Sequence, residues 1–186
     1  MDEIQEYLKK AEQAMEKARE RTQAEFTKIR AGRAMPSMLD GILVMYYGNP
    51  TPMNQVASVS TPDARTLAIK PWEKTLIAEI EKAILNSRLG LTPQNDGEMV
   101  RLNIPPLTEE RRKELVKQVK SEAEKGKVAI RNARKEVKEA LKQLQKAGTS
   151  EDATKKAEEQ AQQLTDTYIN KLDVLLAHKE SEVMEV

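Results

Sequence analysis

All eight prolines of this 186-residue chain, at positions 36, 50, 52, 62, 71, 93, 105 and 106, fall in one block, and the segments on either side hold none. Proline in a helix interior removes a backbone donor and clashes with the preceding turn, so the flanks are free to form long helices and the block is not. Five of the seven glycines, at 32, 41, 48, 90 and 97, lie in or beside the same block. The pattern predicts an insertion of mixed structure within a helical protein.

In the first flank, Ile4, Leu8, Ala11, Met15, Ala18, Thr22 and Ile29 keep a heptad seam that only a helix holds on one face. At 1.5 Å per residue such a helix runs roughly 40 Å, and Arg30-Ala31-Gly32 followed by Pro36 marks its end. A second long helix is announced by Pro105-Pro106-Leu107-Thr108-Glu109-Glu110, with Thr108 in capping position and two carboxylates in the positive first turn. Its seam is Leu115, Val119, Ala123, Gly126, Ile130, Ala133, Val137, Ala140 and Leu144, and Gly148 supplies the stop. A third helix from about Glu151 turns Ala157, Ala161, Leu164, Tyr168, Leu172 and Leu175 inward and closes an antiparallel three-helix bundle.

Within the block, residues 42–47, 55–59, 66–70 and 100–104 are short β-type runs bounded by Gly, Pro, Asn and Asp, and residues 75–86 form an amphipathic helix. The expected fold class is therefore α+β: a discontinuous bundle domain of residues 1–30 and 106–186 with a small β/α/β domain of residues 31–105 inserted. The two connections, Arg30, Ala31 and Gly32 on one strand and Ile104, Pro105 and Pro106 on the other, make a double-stranded hinge. Met35, Met38, Met45 and Met53 read as core filler, and Trp72 as a cover for the small domain.

A formal net charge of +1 hides an asymmetry. Residues 111–146 carry thirteen Lys or Arg against five Glu, whereas residues 149–186 carry four against nine acids. Helix-to-helix complementarity accounts for part of this contrast. The arrangement adds more: Lys127, Arg131, Arg134 and Lys138, extended by Lys120 and Lys142, draw a basic stripe one residue over from the apolar seam. Such a stripe suits a phosphate backbone. It has no interleaved aromatics to stack bases, so recognition of folded RNA by shape and phosphate fits better than single-strand binding.

Enzyme readings find little support. The chain has no cysteine, and its one histidine, His178, lies among charged neighbours near the end of the third helix with no partners for a triad. Carboxylate pairs such as Glu122/Glu124 and Glu158-Glu159 sit on charged helix faces and read as solvated surface. No phosphate-binding glycine loop, zinc motif or EF-hand spacing occurs. No cofactor, metal or catalytic residue is expected, and the absence of an apolar run of about 20 residues argues against a membrane partner. The acidic N-terminus lacks an apolar leader core, which suggests a cytoplasmic protein.

Lys28-Ile29-Arg30-Ala31-Gly32-Arg33-Ala34, leading into Pro36-Ser37-Met38-Leu39-Asp40-Gly41, resembles the opening of the ribosome recycling factor family. Residues 46–52 (YYGNPTP), 104–113 (IPPLTEERRK) and 128–134 (VAIRNAR) agree with it in collinear order, so the resemblance covers essentially the whole chain. It implies an L-shaped, monomeric, non-enzymatic factor that binds the large ribosomal subunit after termination. With elongation factor G and GTP, such a factor promotes dissociation of the spent complex. Carried over by position, Arg131, Asn132 and Arg134 resemble the family's ribosomal-RNA contact, Arg111 and Arg112 are second-rank contacts, and Arg30, Gly32 and Arg33 match the hinge-side motif. One departure is Lys135-Glu136, where many members read Arg-Asp, which keeps the charge signs but loses a planar guanidinium. A different RNA-binding helical module and a self-associating coiled-coil scaffold are the rival readings of the stripe and the seams.

Overall fold

The computed structural model describes residues 2–30 and 32–185. Ala31, one of the expected hinge residues, lies outside the described residues. The fold is α+β, and the chain divides into two compact units, residues 1–31 with 109–186 and residues 32–108.

The first unit is built from α1 (Asp2–Lys28), α4 (Glu109–Lys146) and α5 (Glu151–Met184). Their seams meet in layers. Leu8 and Ala11 pack with Val137, Leu141, Ala157 and Ala161, and two turns on Met15 and Ala18 pack with Ile130, Ala133, Tyr168 and Leu172. Numbers that rise along α1 while falling along α4 and rising along α5 make α4 antiparallel to both. The seam runs as expected along α4 as far as Val137, where Leu141 takes the buried place and Ala140 and Leu144 stay half-buried. The larger side chain fills the space between three helices better than alanine, and either position lies near the core face of a helix. The buried hydroxyls of Thr22 and Thr165 donate to the carbonyls of Ala18 and Ala161, each at 2.8 Å, so neither is left unsatisfied.

The turn between α4 and α5 has a definite cause. Gly148, at φ +108°, donates to the Gln145 carbonyl at 3.1 Å while Thr149 donates to that of Leu144 at 3.0 Å, the paired bonds of a Schellman stop. Two residues on, the Ser150 hydroxyl accepts the Ala153 amide at 3.2 Å and starts α5.

The second unit packs α3 (Ile77–Leu85) on an antiparallel sheet of order β3-β4-β6-β5, comprising β3 (Ala57–Asp63), β4 (Thr66–Pro71), β5 (Gln94–Asn95) and β6 (Val100–Asn103). Leu67, Ile69, Val100 and Leu102 alternate inward from the two central strands against Ile80 and Ile84 of α3. A separate hairpin joins β1 (Leu43–Tyr46) to β2 (Asn49–Pro52) through Tyr47 and Gly48, at φ +48° and +80°, the positive pair that a tight two-residue hairpin requires. Two prolines concealed β2 from sequence reading, and they are tolerated because a two-stranded ribbon leaves one edge of each strand unpaired. The run expected at 55–59 opens instead with the helical turn α2 (Met53–Val56), so β3 begins at Ala57 and extends through Pro62 on the sheet edge. The expected helix at 75–86 starts with a 3-10 turn, Lys74–Leu76, before α3.

Gly126 marks the closest approach of the three helices. A Cβ there would overlap the Thr22 hydroxyl and come within 2.9 Å of Leu172 Cδ1. Overpacking costs about 1–3 kcal/mol, against about 1 kcal/mol regained from replacing glycine in a helix. Gly126→Ala is expected to lower stability by up to about 2 kcal/mol, read as a thermal midpoint lower by up to roughly 8 °C. In the second unit, amides of Arg65, and of Met99 and Glu98, hold the carboxyls of Asp63 and Asp96 below the usual carboxylate range. A carboxyl depressed in the folded state stabilises above its unfolded pKa and loses that contribution as pH falls through the folded one. Protection of the Arg65 and Met99 amides, taken relative to their intrinsic exchange rates, is accordingly expected to fall on acidification below about pH 4, and Asp63→Asn should remove this pH dependence of protection at Arg65.

Candidate nucleic-acid interface

The rotation of α4 about its axis decides which of its cations meet solvent. With Val119, Ala123, Gly126, Ile130 and Val137 turned to the core, residues 127 and 134 fall at the margin of the buried face, and 131 and 138 lie about 40° further round. The stripe expected from sequence is therefore divided.

Lys127 and Arg134 face α5. Lys127 Nζ lies 2.6 Å from Asp173 and its side chain is only 19% exposed. Arg134 Nη1 donates to Gln162 Oε1 at 2.8 Å, and Gln162 in turn donates to Asp166 at 2.9 Å. Lys120 lies 3.8 Å from Glu180, so the step of seven from Lys120 to Lys127 on α4 is matched by a step of seven back from Glu180 to Asp173 on α5, and Arg134 reaches a further eleven residues back to Gln162. These are the complementary charges of the basic and acidic helices, facing one another at an antiparallel interface.

Arg131, Asn132 and Lys138 are exposed, as are Lys135 and Lys142. Arg131 Nη1 donates to Glu124 Oε1 at 3.0 Å on its own helix. No ion pair engages Lys135, Lys138 or Lys142 among the described residues. This face can offer one guanidinium fork and several point charges to a phosphate backbone.

The remaining expected contacts lie elsewhere. Arg111 is exposed in the first turn of α4 and donates to Glu114 at 2.9 Å; Arg112, half-buried, has its Nε enclosed without a hydrogen-bond partner among the described residues. Some 19 residues separate Arg112 from Arg131, roughly 28 Å along the helix. Arg30 is exposed just past α1, and Arg33, also exposed, belongs to the second unit. Of the expected hinge residues, Ile104 is buried in the core of the second unit and its amide donates to the Arg65 carbonyl at 2.7 Å. Gly32, at φ +70°, sits so close to Leu107 that an added Cβ would lie 2.7 Å from Leu107 Cγ. Pro105 and Pro106 are exposed between them. His178 is exposed on α5. Among the described residues no group of three or more His, Asp or Glu is placed to hold a metal ion, and no helix is long and apolar enough to cross a membrane.

Sequence reading missed a second surface. Trp72, expected to cover the small domain, is 66% exposed, and Met45, expected as filler, is exposed on β1 beside Leu43. Trp72 and Leu43 line a groove of about 830 Å³ together with Pro36, Leu39, Pro52 and Met53, among others. The hydroxyls of Tyr46 and Tyr47 both donate to the Glu73 carboxylate, at 2.9 and 3.2 Å, which pushes both phenols above their usual range. The consecutive aromatics before Gly48 and the Pro-Trp pair were the available signals.

Comparison with known proteins settles the family. The sequence profile described as "Ribosome recycling factor" matches residues 22–184. The chain belongs to the ribosome recycling factor family. Membership makes it a non-enzymatic translation factor. It is 66% identical over 186 residues to the ribosome-recycling factor of Amoebophilus asiaticus (strain 5a2), all of both chains being covered. It is 54% identical over 185 residues to that of Porphyromonas gingivalis (strain ATCC BAA-308 / W83), covering 99% of this chain and 100% of the relative. A solution structure of the ribosome recycling factor superposes with a TM-score of 0.77 at 39% identity and full coverage of both chains. The T. thermophilus factor, described together with E. coli elongation factor G bound to the E. coli post-termination complex, superposes with a TM-score of 0.62 at 44% identity, covering 98% of this chain and 99% of that one.

The division of the stripe is testable by stability alone. Asp173→Asn, which removes a rung between helices, is expected to cost up to about 1 kcal/mol in denaturant unfolding. Arg131→Ala, at an exposed position, should stay within about 0.5 kcal/mol of the parent.

Proposed function

We propose that this member of the family docks on large-subunit ribosomal RNA through the exposed face of α4 and, with elongation factor G and GTP, promotes dissociation of the post-termination complex. The observation that carries the reading is the exposed set Arg131, Asn132, Lys135 and Lys138, cations and a polar neighbour left unmatched by the acidic helix. Arg131 supplies a planar, bidentate contact to phosphate and the lysines supply screened attraction. Lys127 and Arg134 act on RNA indirectly, by fixing the rotation of α4 through Asp173 and Gln162. Arg111, Arg112, Arg30 and Arg33 serve as outlying contacts.

The chain crosses between its two units only near residues 31 and 108. Residues 30–32 and 104–106 serve as the hinge in this reading, with domains of 1–30 plus 106–186 and of 31–105. The burial of Ile104 in the small-domain core and the close packing of Gly32 on Leu107, which ties the two connections to each other, support this hinge. The partner's GTP-driven movement supplies the work, and the factor acts as a monomer in the cytoplasm, without a cofactor. Elongation factor G accompanies a relative in its solved structure and supports this assignment by kinship.

The decisive assay is splitting of post-termination ribosomes with elongation factor G and GTP, followed by sucrose-gradient separation of subunits. Wild type is expected to split them, and Arg131→Ala to require roughly 10-fold or more protein for the same yield, the scale of one lost charge-assisted contact. A wild-type chain that neither splits ribosomes nor binds the large subunit at any salt concentration would overturn the proposal.

A further inference from the structure

Along the outward face of α4, positions 113, 117, 120, 124, 128, 131, 135, 138 and 142 follow one another in steps of four and three, and all are exposed. Seven of the nine are basic: Lys113, Lys117, Arg131, Lys135, Lys138 and Lys142, and Lys120 at the edge of the row, which also lies 3.8 Å from Glu180 of α5. Val128 and Glu124 are the exceptions, so the row contains a single acid. That acid accepts the 3.0 Å hydrogen bond from Arg131.

The pair does not have the character of a helix-stabilising bridge. Such bridges join residues three or four apart, whereas Glu124 and Arg131 are seven apart, roughly 10 Å of rise. Arg131 must therefore reach two turns back toward the start of α4. Both ends are open to solvent, at 44% and 59% exposure, where an ion pair contributes little to folding. Nor does it tie helices together, as Lys127 and Asp173 do. It does give the guanidinium a carboxylate oxygen as acceptor, the same charge and acceptor chemistry that a phosphate diester presents.

We propose that Glu124 is a built-in competitor for the RNA phosphate at Arg131, a positioning residue that occupies the guanidinium in the free factor and weakens docking of the basic face. The inference rests on the docking role assigned above. On binding, Arg131 exchanges one anion for another, and the released carboxylate is left among phosphates that repel it. The row thus carries its own limit on affinity at the position of its only arginine, which suits a factor that must leave the ribosome after each round.

The test measures binding of the full-length chain to isolated large ribosomal subunits across a salt series. The variants are Glu124→Gln, Arg131→Ala, the double variant, and Glu139→Gln as a charge control. Glu139 is exposed outside the row, four residues after Lys135, and accepts from Gln143 rather than from a cation of the row. Glu124→Gln is expected to bind roughly 3- to 5-fold tighter than wild type, chiefly through slower dissociation, with Glu139→Gln within about 1.5-fold of wild type. In the Arg131→Ala background the gain from Glu124→Gln should vanish. An equal gain with and without Arg131 would replace the proposal by a general charge effect, and no gain in either would overturn it while leaving docking intact. Wild-type affinity in Arg131→Ala would instead overturn the docking role and this inference with it. Matching thermal midpoints for all variants exclude unfolding as the cause of any difference.

Discussion

The rotation of α4 about its own axis is the constraint on which the remainder of this molecule's surface depends. It is set by small residues: Ala123, Gly126 and Ala133 let α4 approach α1 and α5 closely, and Gly126 leaves no room even for a methyl group beside Thr22 and Leu172. Once that contact is made, every side chain on the helix has its direction assigned. Cations at the margin of the core meet the acids of α5, and cations one step further round meet solvent. A helix with thirteen Lys or Arg in residues 111–146 thereby does two jobs, holding a neighbouring helix and presenting a charged surface.

The two jobs differ in how they use charge. Across the α4/α5 interface the half-buried Lys127 and the Arg134–Gln162–Asp166 chain are fixed by partners on another helix, and their worth lies in orientation. On the outer face the charges are exposed to solvent, each weak alone and sensitive to salt, and their worth lies in number. Family membership assigns the chain to ribosome recycling, and a broad, low-specificity cationic face is the kind of surface that a large folded RNA accepts by shape and phosphate.

Much of this architecture was legible before any coordinates. Proline confined to one block separated helical from mixed structure, and the heptad seams named most of the bundle core, because both follow from backbone sterics and helical period. Legibility ended where a second element decides the outcome. Leu141 displaced Ala140 from the core because the space between three helices, not the period of one, selects the side chain. The β2 strand was hidden because prolines forbid a central strand but not a ribbon edge. The stripe of Lys127, Arg131, Arg134 and Lys138 looked uniform because neighbouring positions differ by only about 40° of rotation, and the presence of α5 turned that small angle into the difference between a cation paired across helices and one facing solvent. Trp72 and Met45 read as cover and filler by residue type, yet lie exposed because the hairpin that carries Met45 stands apart from the main sheet.

The turn joining α4 to α5 also acts as the zero mark of a ruler. Gly148, Thr149 and Ser150 end one helix and begin the next within a few residues, so the distance from the turn to any point on α4 fixes which residue of α5 lies opposite. Lys127 meets Asp173, and Lys120, seven residues earlier, meets Glu180, seven residues later, so the two scales coincide only at the present loop length. One residue more or less in the turn would shift one scale against the other by about 1.5 Å and 100°. Substitutions on the outer face can therefore retune surface charge one residue at a time, whereas a change in the length of this turn would misalign the paired charges along both helices at once.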